Sequence, residues 1–269
     1  MRQLGTFLFL VFTAPLVQAQ FAEPVLGPGP AGDTDNVDFG DVDLDGDWDA
    51  AFARGGEILS RQNMLWVNQG GEQGGAVGVF EDETALRLPS LLDSTRDLEF
   101  GDIDGDGDLD LYVANHAQFF NQGSRWWVNQ GGAQGGALGF YADETEQRWI
   151  RLGGPGSSIA PGLVLEDTFI DWAGDGDFAD LDNDGDLDLV HATYGGSFSG
   201  VVPTRLFLND GSGRFEEFNP GGLVLASSAI ASGDPAPWAE GLQQPNTTDT
   251  TGAFADVATD ALDVELGDV

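Results

Sequence analysis

Asp41 to Thr84 lies over Asp102 to Thr145 at a constant offset of 61 residues with no gap: GDVDLDGDWD over GDIDGDGDLD, LWVNQGGEQGGAVG over WWVNQGGAQGGALG, and DET over DET. A chain that repeats at such a period folds as stacked units, none of which buries its apolar face alone. A looser third copy runs through FADLDNDGDLDLV at 178–190 and TRLFLNDGSGRFEEF at 204–218. The final DVELGDV matches DLEFGDI at 97–103, so the sequence reaches the threshold of a fourth acidic segment, with Asp268 where Asp102 stands.

Four short strands are predicted in each unit. In the second they are DLEF, LDLYVAN, RWWVN and GFYAD, with Leu109, Leu111 and Val113 on one face at the strand period of two. The Gly-rich stretch at 131–139 reads as a hairpin connection. No long apolar period of 3.6 follows residue 19, so the class is all-β. Four antiparallel strands in about 60 residues fit a propeller blade better than a sandwich or a solenoid coil. The expected layout is three complete blades, at about 35–92, 94–150 and 172–220, plus the first strand of a fourth at 261–269. Insertions fall at 151–171 and 221–260, and a linker at 20–34. DWAGDGD at 171–177 reads as a further acidic turn.

Each unit carries a loop dense in aspartate, in a chain of formal net charge −36. Like charges so crowded repel one another and need a counter-ion. Numbered from its first Asp, the loop has positions one, three and five at Asp41, Asp43 and Asp45, at Asp102, Asp104 and Asp106, and at Asp180, Asp182 and Asp184. Position six is Gly46, Gly107 or Gly185, where a chain wrapping back on a ligand needs positive φ or a very tight turn. Position nine is Asp49, Asp110 or Asp188. Side chains at one, three, five and nine, with the position-seven carbonyl of Asp47, Asp108 or Asp186, supply the crowded oxygen shell that calcium takes. On this reading about three calcium ions bind and the position-seven side chains face solvent. An EF-hand would need a bidentate Glu at position twelve, where Phe52, Val113 and His191 stand, and helices rather than strands on the flanks.

FGDVDLDGDWD from Phe39 and FGDIDGDGDLD from Phe100 resemble the FG-GAP or VCBS repeat of integrin α-subunits and many secreted bacterial proteins. The third copy departs at its front, FAD for FGD, and keeps every liganding position. The resemblance covers about 35–220 and 262–269. It implies a β-propeller, often of seven blades, with calcium between the first two strands of a blade, and a role in adhesion, ligand binding or as a scaffold beside catalytic modules. Three units and one strand fall short of a ring. The array is then completed by a longer product, which the ending inside a motif favours, by the insertions and residues 20–34, or by further copies of the chain.

Residues 1–19, MRQLGTFLFLVFTAPLVQA, have one early Arg, an apolar run from Leu4 to Val17 and small residues before Gln20, the layout of a secretory signal cut after Ala19. The mature chain is therefore expected outside the cell, or in the periplasm or at the cell surface, with no membrane span. The sequence has no cysteine, which excludes disulfides, thiolate zinc sites and Cys nucleophiles. Its ten basic residues are all Arg, and a surface this acidic does not seek nucleic acid or anionic membranes.

His116 and His191 are the only histidines, and no G-x-S-x-G elbow is present. His191 shares a strand face with Leu187 and Leu189, which suits packing more than catalysis. Trp66, Trp126 and Trp127 lie on predicted strands and suit a core more than a sugar platform. The Glu residues at 81, 83, 99, 144 and 166 leave paired-carboxylate glycoside hydrolysis open. The leading expectation is a non-enzymatic, secreted calcium-binding repeat module acting on a protein or glycan ligand. The alternative is an extracellular carbohydrate-active or other hydrolytic enzyme, or a fragment of one, on the same scaffold.

Overall fold

The computed structural model describes residues 34–55, 59–115, 123–150, 173–193, 205–218 and 266. The signal at 1–19, most of the linker, both insertions, His116 and Glu166 lie outside them. Among the described residues the chain is mostly β, in three sheets. The first joins β1 (Thr34–Gly40), β2 (Asp49–Arg54), β3 (Met64–Asn68) and β4 (Phe80–Asp82) in chain order. The second repeats it with β5 (Thr95–Gly101), β6 (Asp110–Asn115), β7 (Arg125–Asn129) and β8 (Tyr141–Asp143). After the edge strand β9 (Trp149–Ile150), the third sheet has β10 (Ala173–Ala179), β11 (Asp188–Thr193), β12 (Arg205–Asn209) and β13 (Phe215–Glu217). Neighbours within each four-strand set are antiparallel, and each first strand carries an irregularity at the same place, Thr34/Asn36, Thr95/Asp97 and Ala173/Asp175.

Two expectations are corrected here. Trp149 and Ile150, assigned to the second unit, add a parallel strand to the third sheet, opposite Phe215 and Glu216. The reason is apolar: Trp149 is buried with its ring 5.0 Å from Phe207 and 5.2 Å from Trp126, so crossing the boundary removes an indole from water. The stretch read as an acidic turn at 171–177 is strand from Ala173 onward, with Asp175 inside it beside Asp97, and burial followed by the Asp175 charge holds Asp97 well above the usual carboxylate range.

The sequence pair Phe-Gly has a packing reason. A Cβ on Gly40 would sit 2.7 Å from Leu109 and 3.1 Å from Phe100, and one on Gly101 would sit 2.8 Å from Phe178. Each unit thus rests a Phe and a Leu on the bare end of the preceding first strand. Backbone bonds follow the same joint: Phe100 N donates to Asp38 Oδ2 at 2.9 Å, and Leu266 N donates to Asp177 Oδ2 at 2.6 Å. Leu266 therefore stands to the third unit as Phe100 stands to the first.

Val42, Leu65, Leu98, Leu111, Val113 and Trp127 form the core cluster of the first two sheets. The second and third meet through aromatic rings, with Trp126 stacked on Phe215 at 4.2 Å. Trp66, Trp126 and Trp127 are all buried. DET opens one-turn helices, α1 (Thr84–Arg87) and α2 (Thr145–Arg148), which period analysis does not anticipate because each is a single turn. Thr84 Oγ1 accepts from Leu65 N at 3.0 Å, and Thr145 Oγ1 from Trp126 N at 3.0 Å, so the motif satisfies β3 and β7 just past the ends of β4 and β8. No helix among the described residues is long and apolar enough to cross a membrane.

Candidate metal centres

Each acidic loop joins the first two strands of its sheet and has the same internal wiring. The position-one carboxylate accepts from the position-five and position-six amides: Asp41 from Asp45 N and Gly46 N, Asp102 from Asp106 N and Gly107 N, Asp180 from Asp184 N and Gly185 N, all at 2.9–3.1 Å. Position six has φ of 96°, 94° and 102°, as anticipated. Position four is left-handed as well, at Leu44, Gly105 and Asn183. Gly and Asn take this conformation readily, so two of the three copies carry a signal for it, whereas Leu44 is a poor left-handed residue held there by the wiring of the loop.

The turn brings carboxylate oxygens together. Asp41, Asp43 and Asp45 converge in the first loop, Asp102, Asp104 and Asp110 in the second, and Asp180, Asp182 and Asp188 in the third, with one oxygen of each within 4.8 Å of the others. These three acidic clusters could hold a metal ion. All members come from positions one, three, five and nine. Buried side-chain oxygens without a hydrogen-bond partner among the described residues mark the same places: Asp43 Oδ1 and Asp45 Oδ2 in the first loop, Asp104 Oδ1 in the second. A buried, unpaired carboxylate oxygen is costly unless a cation meets it, so the donor set fits a hard divalent ion.

Position seven departs from expectation. Asp47 and Asp108 are buried, not solvated, and among the described residues all four of their carboxylate oxygens lack a partner, as does Asp186 Oδ1. Burial, then the charges of Asp45, Asp43 and Asp41, pushes Asp47 up to about 6, and burial with Asp106 pushes Asp108 to about 7. The cause is the hairpin between the third and fourth strands, which lies over the loop. A Cβ on Gly70 would collide with Asp47, and one on Gly131 would come within 2.5 Å of Asp108. The glycines of NQGG thus let the hairpin backbone cover the carboxylates. Position-seven side chains join the candidate ligands.

Position nine has a second task. Asp49, Asp110 and Asp188 are fully buried, and each accepts from the position-two amide and from the Asn amide that ends the third strand. For Asp110 these are Ile103 N at 3.3 Å and Asn129 N at 2.8 Å; for Asp49 they are Val42 N and Asn68 N, and for Asp188 Leu181 N and Asn209 N. Burial raises Asp49 to about 7 and Asp110 to about 8 against these bonds.

No family model matches the chain, and no curated protein matches it.

An arginine at the end of each one-turn helix was not singled out from the sequence. Arg87 donates to Asp43 Oδ2 at 3.1 Å, to Glu83 at 2.5 Å and to Gly139 O of the next unit at 3.4 Å; Arg148 does the same to Asp104, Glu144 and Ser212 O. Gln73 and Gln134 hold the same Asp oxygens. One oxygen of the position-three Asp is therefore fixed by the protein while the other faces the cluster. The signal was available as the repeated DETxxR, four residues after a Glu. Arg87→Met should lower stability by about 2 kcal/mol, since it strips charged hydrogen bonds from a largely buried site, and urea denaturation measures the loss. In the third unit no Arg follows Glu217 at this spacing, and Asp180, Asp182 and Asp184 are exposed.

His191 is buried with Nδ1 2.5 Å from Tyr112 Oη, inside the aromatic joint.

Proposed function

We propose that the chain is a calcium-stabilised module of propeller-type blades, of the FG-GAP or VCBS kind its loops resemble, that acts outside the cell in binding a protein or glycan ligand. The observation that carries this reading is the threefold recurrence of one loop, in which converging carboxylates come with buried oxygens that nothing among the described residues satisfies. Calcium suits it better than magnesium, because these loops offer many protein oxygens and magnesium prefers to keep its waters. The adjacency of the first strands, with β5 between β1 and β10, supports blades around a common axis.

When bound, calcium supplies positive charge at the point where the carboxylates converge. The chain's own residues set the rest: position-one and position-nine carboxylates hold the turn, and Arg87 or Arg148 orients position three. A cleft of about 560 Å³ between loops two and three, lined by Asp102, Asp104, Asp184 and Asp186, sets two of the sites side by side.

Isothermal titration of metal-stripped residues 20–269 tests the reading. About three ions are expected, one per loop. The triple variant Asp102→Asn, Asp104→Asn, Asp106→Asn should bind one ion fewer and leave the other loops occupied. Absence of binding at millimolar calcium would make the loops solvated turns and remove the basis for the proposal.

A further inference from the structure

The acidic loops are tied to one another. Val42 N donates to Asp49 Oδ2 at 3.0 Å, Asn129 Nδ2 donates to Val42 O at 3.0 Å, and Asn129 N donates to Asp110 Oδ1 at 2.8 Å. The same path leaves Asp110 for the third loop: Ile103 N donates to Asp110 Oδ2 at 3.3 Å, Asn209 Nδ2 to Ile103 O at 2.7 Å, and Asn209 N to Asp188 Oδ1 at 2.8 Å. One unbroken line of hydrogen bonds thus joins the position-nine carboxylates of all three loops.

A second line converges on the same asparagines. Arg87 holds Asp43 Oδ2 and donates through Nη1 to Gly139 O at 3.4 Å, and Gly139 N donates to Asn129 Oδ1 at 2.8 Å. Across the next joint Asp104, Arg148, the peptide between Ser212 and Gly213, and Asn209 Oδ1 repeat it.

The hairpin between β7 and β8 carries both lines and packs on two loops at once. A Cβ on Gly131 would meet Asp108 of loop two, and one on Gly139 would lie 3.0 Å from Asp43 Cβ of loop one. Converging carboxylates without a counter-ion repel one another and work against this closed packing. Loading loop two draws in Asp108 and Asp110 and so fixes Asn129 and the hairpin, which then holds Val42 and Arg87 where loop one needs them. The ordering is done once and serves both sites, so each ion favours the other.

We propose, resting on the calcium reading above, that neighbouring loops bind their ions with positive coupling, and that Asn129 and Asn209 transmit it. Loop three then depends on loop two, and on loop one only through it. Direct repulsion between the ions acts in the opposite direction, but salt screens it over about 8 Å at physiological strength and leaves the buried hydrogen bonds in place.

The amides of Gly46, Gly107 and Gly185 each bond the position-one carboxylate of their own loop, so their NMR signals report the loops one by one. Calcium is titrated into the metal-stripped, isotope-labelled full chain at physiological salt. Asp41→Asn, Asp43→Asn and Asp45→Asn together remove the first site, and the Gly107 midpoint should then rise at least about fivefold, with a smaller rise at Gly185. In an Asn129→Ala background the same replacements should leave the Gly107 midpoint within about twofold, because no side chain then reaches Val42 or Gly139. A direct effect of the lost charges would survive there. Asn129 is fully buried, so Asn209→Ala with Asp102→Asn, Asp104→Asn and Asp106→Asn, read at Gly185, supplies the same test at the second joint. A Gly107 midpoint indifferent to loop one, or a shift undiminished by Asn129→Ala, overturns the coupling and leaves the calcium sites standing. If no glycine signal responds at millimolar calcium, the coupling falls together with the reading it rests on.

Discussion

Stripping calcium from the chain is expected to lower its stability by about 5 kcal/mol and its melting temperature by roughly 10–20 °C. An extracellular-type site with Kd of ~0.1 mM in ~2 mM calcium contributes roughly 1.8 kcal/mol by mass action, and three such loops reach a large share of an ordinary domain's stability. The pH dependence should flatten when the ion binds. In the metal-free chain Asp47, Asp49, Asp108 and Asp110 titrate at about 6, 7, 7 and 8 when folded, against 3.8 when unfolded. The folded state then holds more protons than the unfolded between about pH 4 and 8, so stability falls as pH rises through that window. Calcium competes with those protons, so in the loaded chain the folded carboxylates hold no more protons than the unfolded ones and the fall in stability across that window should largely disappear. Thermal melts at pH 5 and pH 8, in calcium and in chelator, check both slopes. Melts that ignore calcium at either pH would show that the loops carry no structural ion.

Much of this was legible in the residues. Leu111 and Val113 alternate, and Gly-rich stretches separate the strands, so the four-strand unit and its repetition followed from pattern and offset. The turn glycine at position six was legible because only backbone geometry acts there. Position seven was not, since its burial depends on a hairpin more than 20 residues away, and the glycines of NQGG reveal that only once the hairpin is seen to lie over Asp47 and Asp108. Trp149 and Ile150 were misassigned for a related reason: a strand's partner is chosen by the apolar surface it can cover, here Phe207 and Phe215, and that surface belongs to another unit. The arginines were visible as a repeated spacing without a visible purpose, because their targets are a ligand oxygen and a carbonyl across the joint.

The position-nine carboxylate should separate what the ion does from what the fold does. Asp110 is wholly enclosed, and its two oxygens take the amides of Ile103 and Asn129 while one of them also belongs to the cluster with Asp102 and Asp104. Asp110→Ala leaves two buried N–H groups without acceptors, at about 1–3 kcal/mol each, and empties a ligand position besides. A loss of about 4 kcal/mol is expected, most of it persisting in chelator. Asp104→Asn removes charge from the cluster and can keep its carbonyl oxygen towards Arg148 and Gln134, so its loss should be about 2 kcal/mol in calcium and vanish in chelator. In chelator it can even be the more stable protein, since one of several crowded like charges is gone. Urea denaturation of both variants, each with and without calcium, gives the four values needed. If Asp110→Ala matched the parent in chelator, the aspartate would be a ligand alone, and the turn would owe its shape to position one.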